Sequence, residues 1–443
     1  MESAIKRVVR AERQSGQTVQ CTGLDTIFQH FAVPLVFVFK ETLNHRVLLD
    51  ALPPTLAHYP LFAGQLQERD GKLQINCNDR GVPVAVEYRK ETFDSWLEGL
   101  NNRYADRTVV APLSPRASLR RGAALASVRI THFRHGGSCL AVSWLHTLGD
   151  FRTVKAFMQA WGNACSGHEI EAPLLVEDRP AFLETRIRGN GRGQPTLLRV
   201  RTGDIVHFAG SMLRDLLGAQ AVMCHFTDDE LRNMRAALQE QAGVRLSTND
   251  ALWGHLAAIL DKIYPKTRTR YVGTVINWRQ RLGLASGLLG NLTSNLLVPR
   301  RPDQTACSIA SELRQSIDTF TEQQFDYLCN ERFIAEQQRL KRAHMVLHEV
   351  HDPRRRALYL NSWQDAEMSD LEFAGVRPYV LAFVARAPRW TGVVTRGFEN
   401  KGVIVRMSVP RDAAIGLRSE PMLHCYRSDD EPPTNGERVR WLV

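Results

Sequence analysis

Ser138-Cys-Leu-Ala-Val-Ser-Trp-Leu145 is an almost wholly apolar run of strand length, and Thr153-Val-Lys-Ala-Phe-Met-Gln-Ala-Trp161 follows with apolar residues at helical spacing. The first reads as a buried strand and the second as an amphipathic helix. Between them lies His146-Thr-Leu-Gly-Asp150. An imidazole therefore leaves the end of a rigid strand. A carboxylate stands at a helix start, where free N–H groups and the helix dipole favour negative charge. A cleft histidine placed in this way is a candidate general base. Taken alone the spacing is weak, because a histidine at a strand end is more often a hydrogen-bonded structural residue.

With 443 residues the chain is too long for one ordinary core, and two or three domains, or two large α/β domains, are expected. Charged residues at 23% and hydrophobic residues at 44% describe a soluble globular protein rather than a disordered or fibrous one. The longest apolar candidate, Phe31 to Phe39, is too short to span a bilayer and contains Pro34, so it reads as a strand. The first residues lack the apolar stretch of a secretion signal, and a cytoplasmic location is expected. The formal charge of +10 is compatible with nucleic acid, an anionic surface or a phosphorylated small molecule. Arginine clusters at Arg116 to Arg121, Arg186 to Arg192 and Arg354 to Arg356 lack interleaved aromatics, which argues against nucleic acid. The phosphates of a CoA thioester suit a modestly basic cleft equally well. None of the eight cysteines forms a Cys-x-x-Cys pair; no metal or redox site is expected, and reduced, buried, inert thiols are.

The first third reads as sheet with packed helices. A helix over Leu43 to Leu56 stops or resumes at Pro53-Pro54, and strands follow at Lys72 to Cys77 and Val82 to Tyr88. Between about residues 181 and 203 the composition shifts to Arg, Gly, Asn and Thr, marking a domain boundary. Gly189, Gly191 and Gly193 lack a preceding strand and a Gly-Lys-Ser/Thr, so they read as linker rather than phosphate loop. Phe226-Thr-Asp-Asp-Glu230 and Ser247-Thr-Asn-Asp250 open helices. Strands are expected near 271–277, 292–298, 357–363, 378–385, 391–396 and 402–408, with helices through roughly 304–345. His344, His348 and His351 would share a helix face, but without a His-Glu-x-x-His order, and ahead of Pro353, they read as a solvated face rather than a metal site.

The stretch His146-Thr-Leu-Gly-Asp150-Phe151, with Phe157 and Ala160-Trp161, resembles the BAHD family of CoA-dependent acyltransferases and its His-x-x-x-Asp-Gly motif. Similar matches run in order along the chain. They are Leu24-Asp25; Leu52 to Gly64 with Tyr59-Pro60; Cys77 to Gly81; Asp178-Arg179; Ser247 to Asp250; Arg279-Gln-Arg281 with Gly290-Asn291; and Asn361-Ser-Trp363. Glu372-Phe-Ala-Gly-Val-Arg-Pro378 stands where the family has Asp-Phe-Gly-Trp-Gly-Lys-Pro.

The resemblance implies two chloramphenicol-acetyltransferase-like α/β domains, each a mixed sheet with packed helices, with a channel between them. The expected division is 1–180, a crossover linker 181–225, and 226–443. It further implies transfer of an acyl group from acyl-CoA, a co-substrate, to an alcohol or amine by direct attack, in a monomer with no bound cofactor, metal, nucleic acid or membrane span. His146 would be the base and Asp150 the structural support, paired with the Arg279/Arg281 segment. Asn361 would be an oxyanion donor and Trp363 a wall of the substrate pocket, while Glu372 belongs to a structural motif. Phe151 replaces the family's glycine and is expected to narrow the channel mouth. That departure and the eroded second motif leave open a non-catalytic ligand- or partner-binding member, and a carrier-protein-dependent transferase is the other alternative. Leu145, where condensation-type relatives carry a first histidine, argues against the latter.

Overall fold

The computed structural model describes residues 4–100, 108–187, 196–265, 269–320, 327–340, 346–364, 371–383 and 388–428. Ser138–Leu145 is buried at every residue, as an apolar run without alternation requires, and is an inner strand of a six-stranded sheet. That sheet runs Ile5–Val9, Val82–Thr92, Ala126–Arg134, Ser138–Leu145, Ala32–Phe39, Val380–Phe383, and it is mixed because the second and third strands are parallel. The second sheet runs Ala219–Phe226, Val403–Pro410, Thr391–Arg396, Ala357–Ser362, Tyr271–Asn277, Thr293–Pro299.

Each sheet builds its own core. Helices His45–His58 and Phe151–Cys165 contribute to the first, where Trp144, Phe157 and Trp161 are buried together. In the second helix, Val154, Phe157, Met158 and Trp161 form the apolar stripe, and Trp161 donates its indole N–H to Leu48 O at 2.9 Å. Helices Asp228–Ala242, Thr248–Ile263, Ala306–Asp318 and Arg411–Ser419 build the second core with Phe226, Trp253 and Trp278. Two mixed sheets with packed helices are the expected fold class.

Several expectations need correction. Ala219–Phe226, placed in the linker, is an edge strand of the second sheet, paired along its whole length with Val403–Pro410. Val380–Phe383, placed in the C-terminal half, completes the first sheet by pairing with residues 35–38 of the opposite half. Apolar patterning marks a strand but not which open sheet edge it will satisfy, so the sheets cut across the divisions drawn at 180 and 225. The helix at His45 runs unbroken through Pro53 and Pro54, held by buried Leu48, Leu49, Leu52 and Leu56. Cys425 is exposed, although all eight cysteines are free. Gly189, Gly191, Gly193 and His344 lie outside the described residues. Among the described residues no helix is long and apolar enough to cross a membrane.

Candidate active site

From Leu145 the chain passes through one 3-10 turn, His146–Leu148, then Gly149, to Asp150 at the N-cap of the helix Phe151–Cys165. The turn is fixed by its backbone. His146 N–H donates to Phe31 O at 2.8 Å, and His146 O accepts from Asn291 Nδ2 at 2.9 Å. Leu148 O accepts from Arg179 Nη2 and Gly149 O from Trp144 Nε1, both at 3.2 Å. Asn291 and Arg179 converge on buried Asp25, at 2.7 and 3.0 Å. Gly149 is required at its position, since a Cβ there would lie 2.4 Å from Thr153 Oγ1.

The His146 imidazole stacks on Phe28, with centroids 4.2 Å apart and planes at 19°. Burial draws its pKa below the usual histidine value, against the opposing pull of its own backbone carbonyl, Asp150 and Asn291. The ring is thus predominantly neutral near pH 7, the form that accepts a proton.

Asp150 is committed elsewhere. Arg279 Nη1 donates to its Oδ2 at 2.7 Å and Nη2 to its Oδ1 at 3.1 Å, a bidentate pair in which both residues are buried. Thr153 N–H donates to Oδ1 as the helix cap and Leu292 N–H to Oδ2, at 3.2 and 3.1 Å. Burial alone would raise this carboxyl, but the charge and hydrogen bonds of Arg279, with the two backbone donors, hold it below the usual carboxylate value. Arg279 also donates to Leu288 O and Gly290 O, so one guanidinium ties the turn to the loop of the second half.

Two cavities adjoin the start of the helix Phe151–Cys165, where both are lined by Arg152. One, of about 780 Å³, is walled near His146 by Phe28, Phe31, Trp144, Phe151 and Trp363, with Asn361 also on its lining. The other, of about 950 Å³, carries Arg235, Arg245, Arg281 and Arg314 beside Ser247 and Asn249. Arg152, Val275 and Asn277 line both, so the cavities share a wall.

The remaining expectations divide. The pairing foreseen for the Arg279/Arg281 segment falls to Arg279; Arg281 instead donates to Phe320 O at 3.4 Å and faces the basic cavity. Phe151 stacks flat on Trp363, 4.3 Å apart and 8° from parallel, and so closes part of the wall between the two halves. Glu372 forms a 3.3 Å ion pair with Arg377, while its carbonyl sits 2.3 Å from where a Cβ on Gly162 would be, so the motif seats the helix Phe151–Cys165 closely. Phe373 packs edge-on against Phe37, Phe39 and Trp161.

His348 and His351 overturn the solvated helix face. They end the strand Val346–His348 and the 3-10 turn Glu349–His351, and both line the apolar cavity. His348 is only 5% exposed and, like His146, stacks on Phe28. Charged neighbours in sequence suggested solvent, but a short strand sends alternate residues to opposite sides. Asp25, Arg179 and Asn291 entered the sequence reading only as matched motifs. Their joint hold on the turn spans too many residues for any local signal to show.

The sequence model of the Transferase family matches residues 3–420. Shikimate O-hydroxycinnamoyltransferase of Nicotiana tabacum is 22% identical over 290 residues, 61% of this chain. The match spans 64% of that relative, less than two thirds of its length. Among solved structures, vinorine synthase superposes with a TM-score of 0.68 at 18% identity, covering 95% of this chain and 97% of its own. F. graminearum TRI101 complexed with coenzyme A and T-2 mycotoxin superposes with a TM-score of 0.74 at 13% identity, covering 92% and 98%.

Proposed function

This chain belongs to the BAHD acyltransferase family, and on that premise we propose that it transfers an acyl group from a CoA thioester to a small-molecule hydroxyl or amine. The observation that carries this reading is the division between His146 and Asp150. The carboxylate is saturated by Arg279 and two backbone donors, so of the two residues it is the neutral His146 imidazole on the cavity wall that can take a proton.

The acceptor occupies the apolar cavity with its O–H or N–H toward the open edge of His146. As its oxygen or nitrogen attacks the thioester carbonyl, His146 takes the proton and a tetrahedral intermediate forms. Asn361, on the same lining, supplies an amide N–H to the developing oxyanion. Collapse breaks the C–S bond, and the imidazolium returns its proton to the CoA thiolate, so no acyl-enzyme is needed. The basic cavity receives the donor. Arg235, Arg245 and Arg281 match the pyrophosphate and 3′-phosphate of CoA, and the arm reaches His146 past the shared wall at Arg152 and Asn277. This cluster favours free CoA over a carrier protein, and the complex of TRI101 with coenzyme A and a small-molecule toxin supports the same pairing of ligands. One chain supplies every group invoked, so a monomer suffices.

The test is release of free thiol from acetyl-CoA in the presence of a panel of alcohols and amines. Thiol release that depends on the acceptor, with matching acylated product by mass, is expected. CoA binding without thiol release for any acceptor would make the protein a binding member of this fold.

A further inference from the structure

We propose that the helix Thr202–Gly218 docks this protein on the surface of an anionic lipid bilayer. The helix is amphipathic in the wrong sense for a core element. Ile205, Val206, Met212, Leu213 and Leu217 are 48%, 78%, 72%, 56% and 79% exposed, and their spacing places them with Ala209 on one broad face. Five large apolar side chains on one exposed face exceed the scattered single residues of an ordinary surface.

The polar side holds the helix to the body. Asp204 pairs with Arg354 at 2.7 Å and Asp215 with Arg389 at 2.8 Å, while Phe208 lines the cavity with the Arg354 guanidinium 6.0 Å from its ring centre. Both acids of the helix are therefore engaged with the body. The exposed charged residues on and just before it are Arg199, Arg201 and Arg214, with His207 beside them. An apolar face with a basic rim, on a chain of formal charge +10, complements an anionic headgroup layer rather than a second copy of itself, which would set these arginines against each other. Phe208 and Val200 belong to this segment and to the cavity lining, so the helix packs its body-facing side over the apolar pocket while its exposed face stays open to a bilayer.

The experiment is flotation of the full chain with phosphatidylcholine vesicles, with and without phosphatidylserine, beside Val206→Glu and Leu217→Glu. Both positions are exposed, so melting temperatures should stay at the wild-type value. The wild type should float with the anionic vesicles and lose binding as salt rises, and each variant should weaken that binding about tenfold or more, the worth of one buried apolar side chain. Wild-type protein that stays with neither vesicle overturns the proposal. So does binding that the two variants leave intact, which would place the contact elsewhere on the basic surface. A dimer in light scattering that Val206→Glu dissociates, without vesicle binding, would assign the face to a second copy.

Discussion

The two cavities that share Arg152, Val275 and Asn277 are built from opposite chemistry. One presents guanidinium groups, with Arg235, Arg245, Arg281 and Arg314 around Ser247 and Asn249. The other presents aromatic faces, with the Phe151–Trp363 stack on one wall and Phe28 carrying both His146 and His348 on another. On the proposed function the basic one would take the phosphates of the CoA thioester, and the aromatic one an acceptor chosen by shape. They share the wall at Arg152, Val275 and Asn277, and Arg152 lies two residues beyond a turn whose backbone is tied down by Asp25, Arg179, Asn291 and Arg279.

Removing the tie should disturb both cavities and have the largest effect on stability. Asp150→Asn leaves the Arg279 charge buried without its counter-charge, a loss of about 3–5 kcal/mol. Denaturant unfolding measures it, and wild-type stability would show that the pair does not hold the halves together. Arg281→Ala should separate the cavities: the KM for CoA thioester rises about tenfold, for the loss of one charge-assisted hydrogen bond, and the KM for acceptor is unchanged. Equal rises in both would contradict distinct roles. Phe151→Ala is the converse case. It forfeits the stack on Trp363, worth about 0.5–1.5 kcal/mol beyond area, and should shift the acceptor KM and the preference for bulky acceptors while the CoA KM stays put.

Buried titratable groups set the dependence on pH. Burial first, then the nearby His351 and His146, push the His348 pKa down from 6.5 to about 3. The unfolded chain then takes up a proton that the folded chain refuses, so stability present above pH 6.5 is lost as pH falls toward about 3. Glu331 behaves oppositely. It caps Gly23 N–H at 2.7 Å, and burial raises its pKa from 4.5 to about 7. Its contribution is present below pH 4.5 and is lost as pH rises through about 7. Stability against pH for His348→Phe and Glu331→Gln should flatten the acid and the neutral side respectively; curves parallel to wild type would contradict the burial.

The strand, turn and helix around His146 were legible because an unbroken apolar run, a capping carboxylate and a helical stripe are local signals. Arg279 and Arg281 were not separable, since two residues of spacing do not tell which guanidinium meets Asp150; the answer depends on the Gly290 loop that Arg279 also grips. The contact of Asp25 with Arg179 spans 154 residues and that with Asn291 spans 266, and such contacts leave no periodicity. His348 is hidden from a local reading for a related reason: its neighbours are charged, but its own side chain is buried at the end of a three-residue strand.

On the proposed function His146 moves the proton while Asp150 holds the turn. Acceptor-dependent thiol release by His146→Ala, on protein with a wild-type melting temperature, tests it most directly. Turnover should fall by about 10²- to 10⁴-fold, the usual worth of a positioned general base. Unchanged turnover in that variant would contradict it.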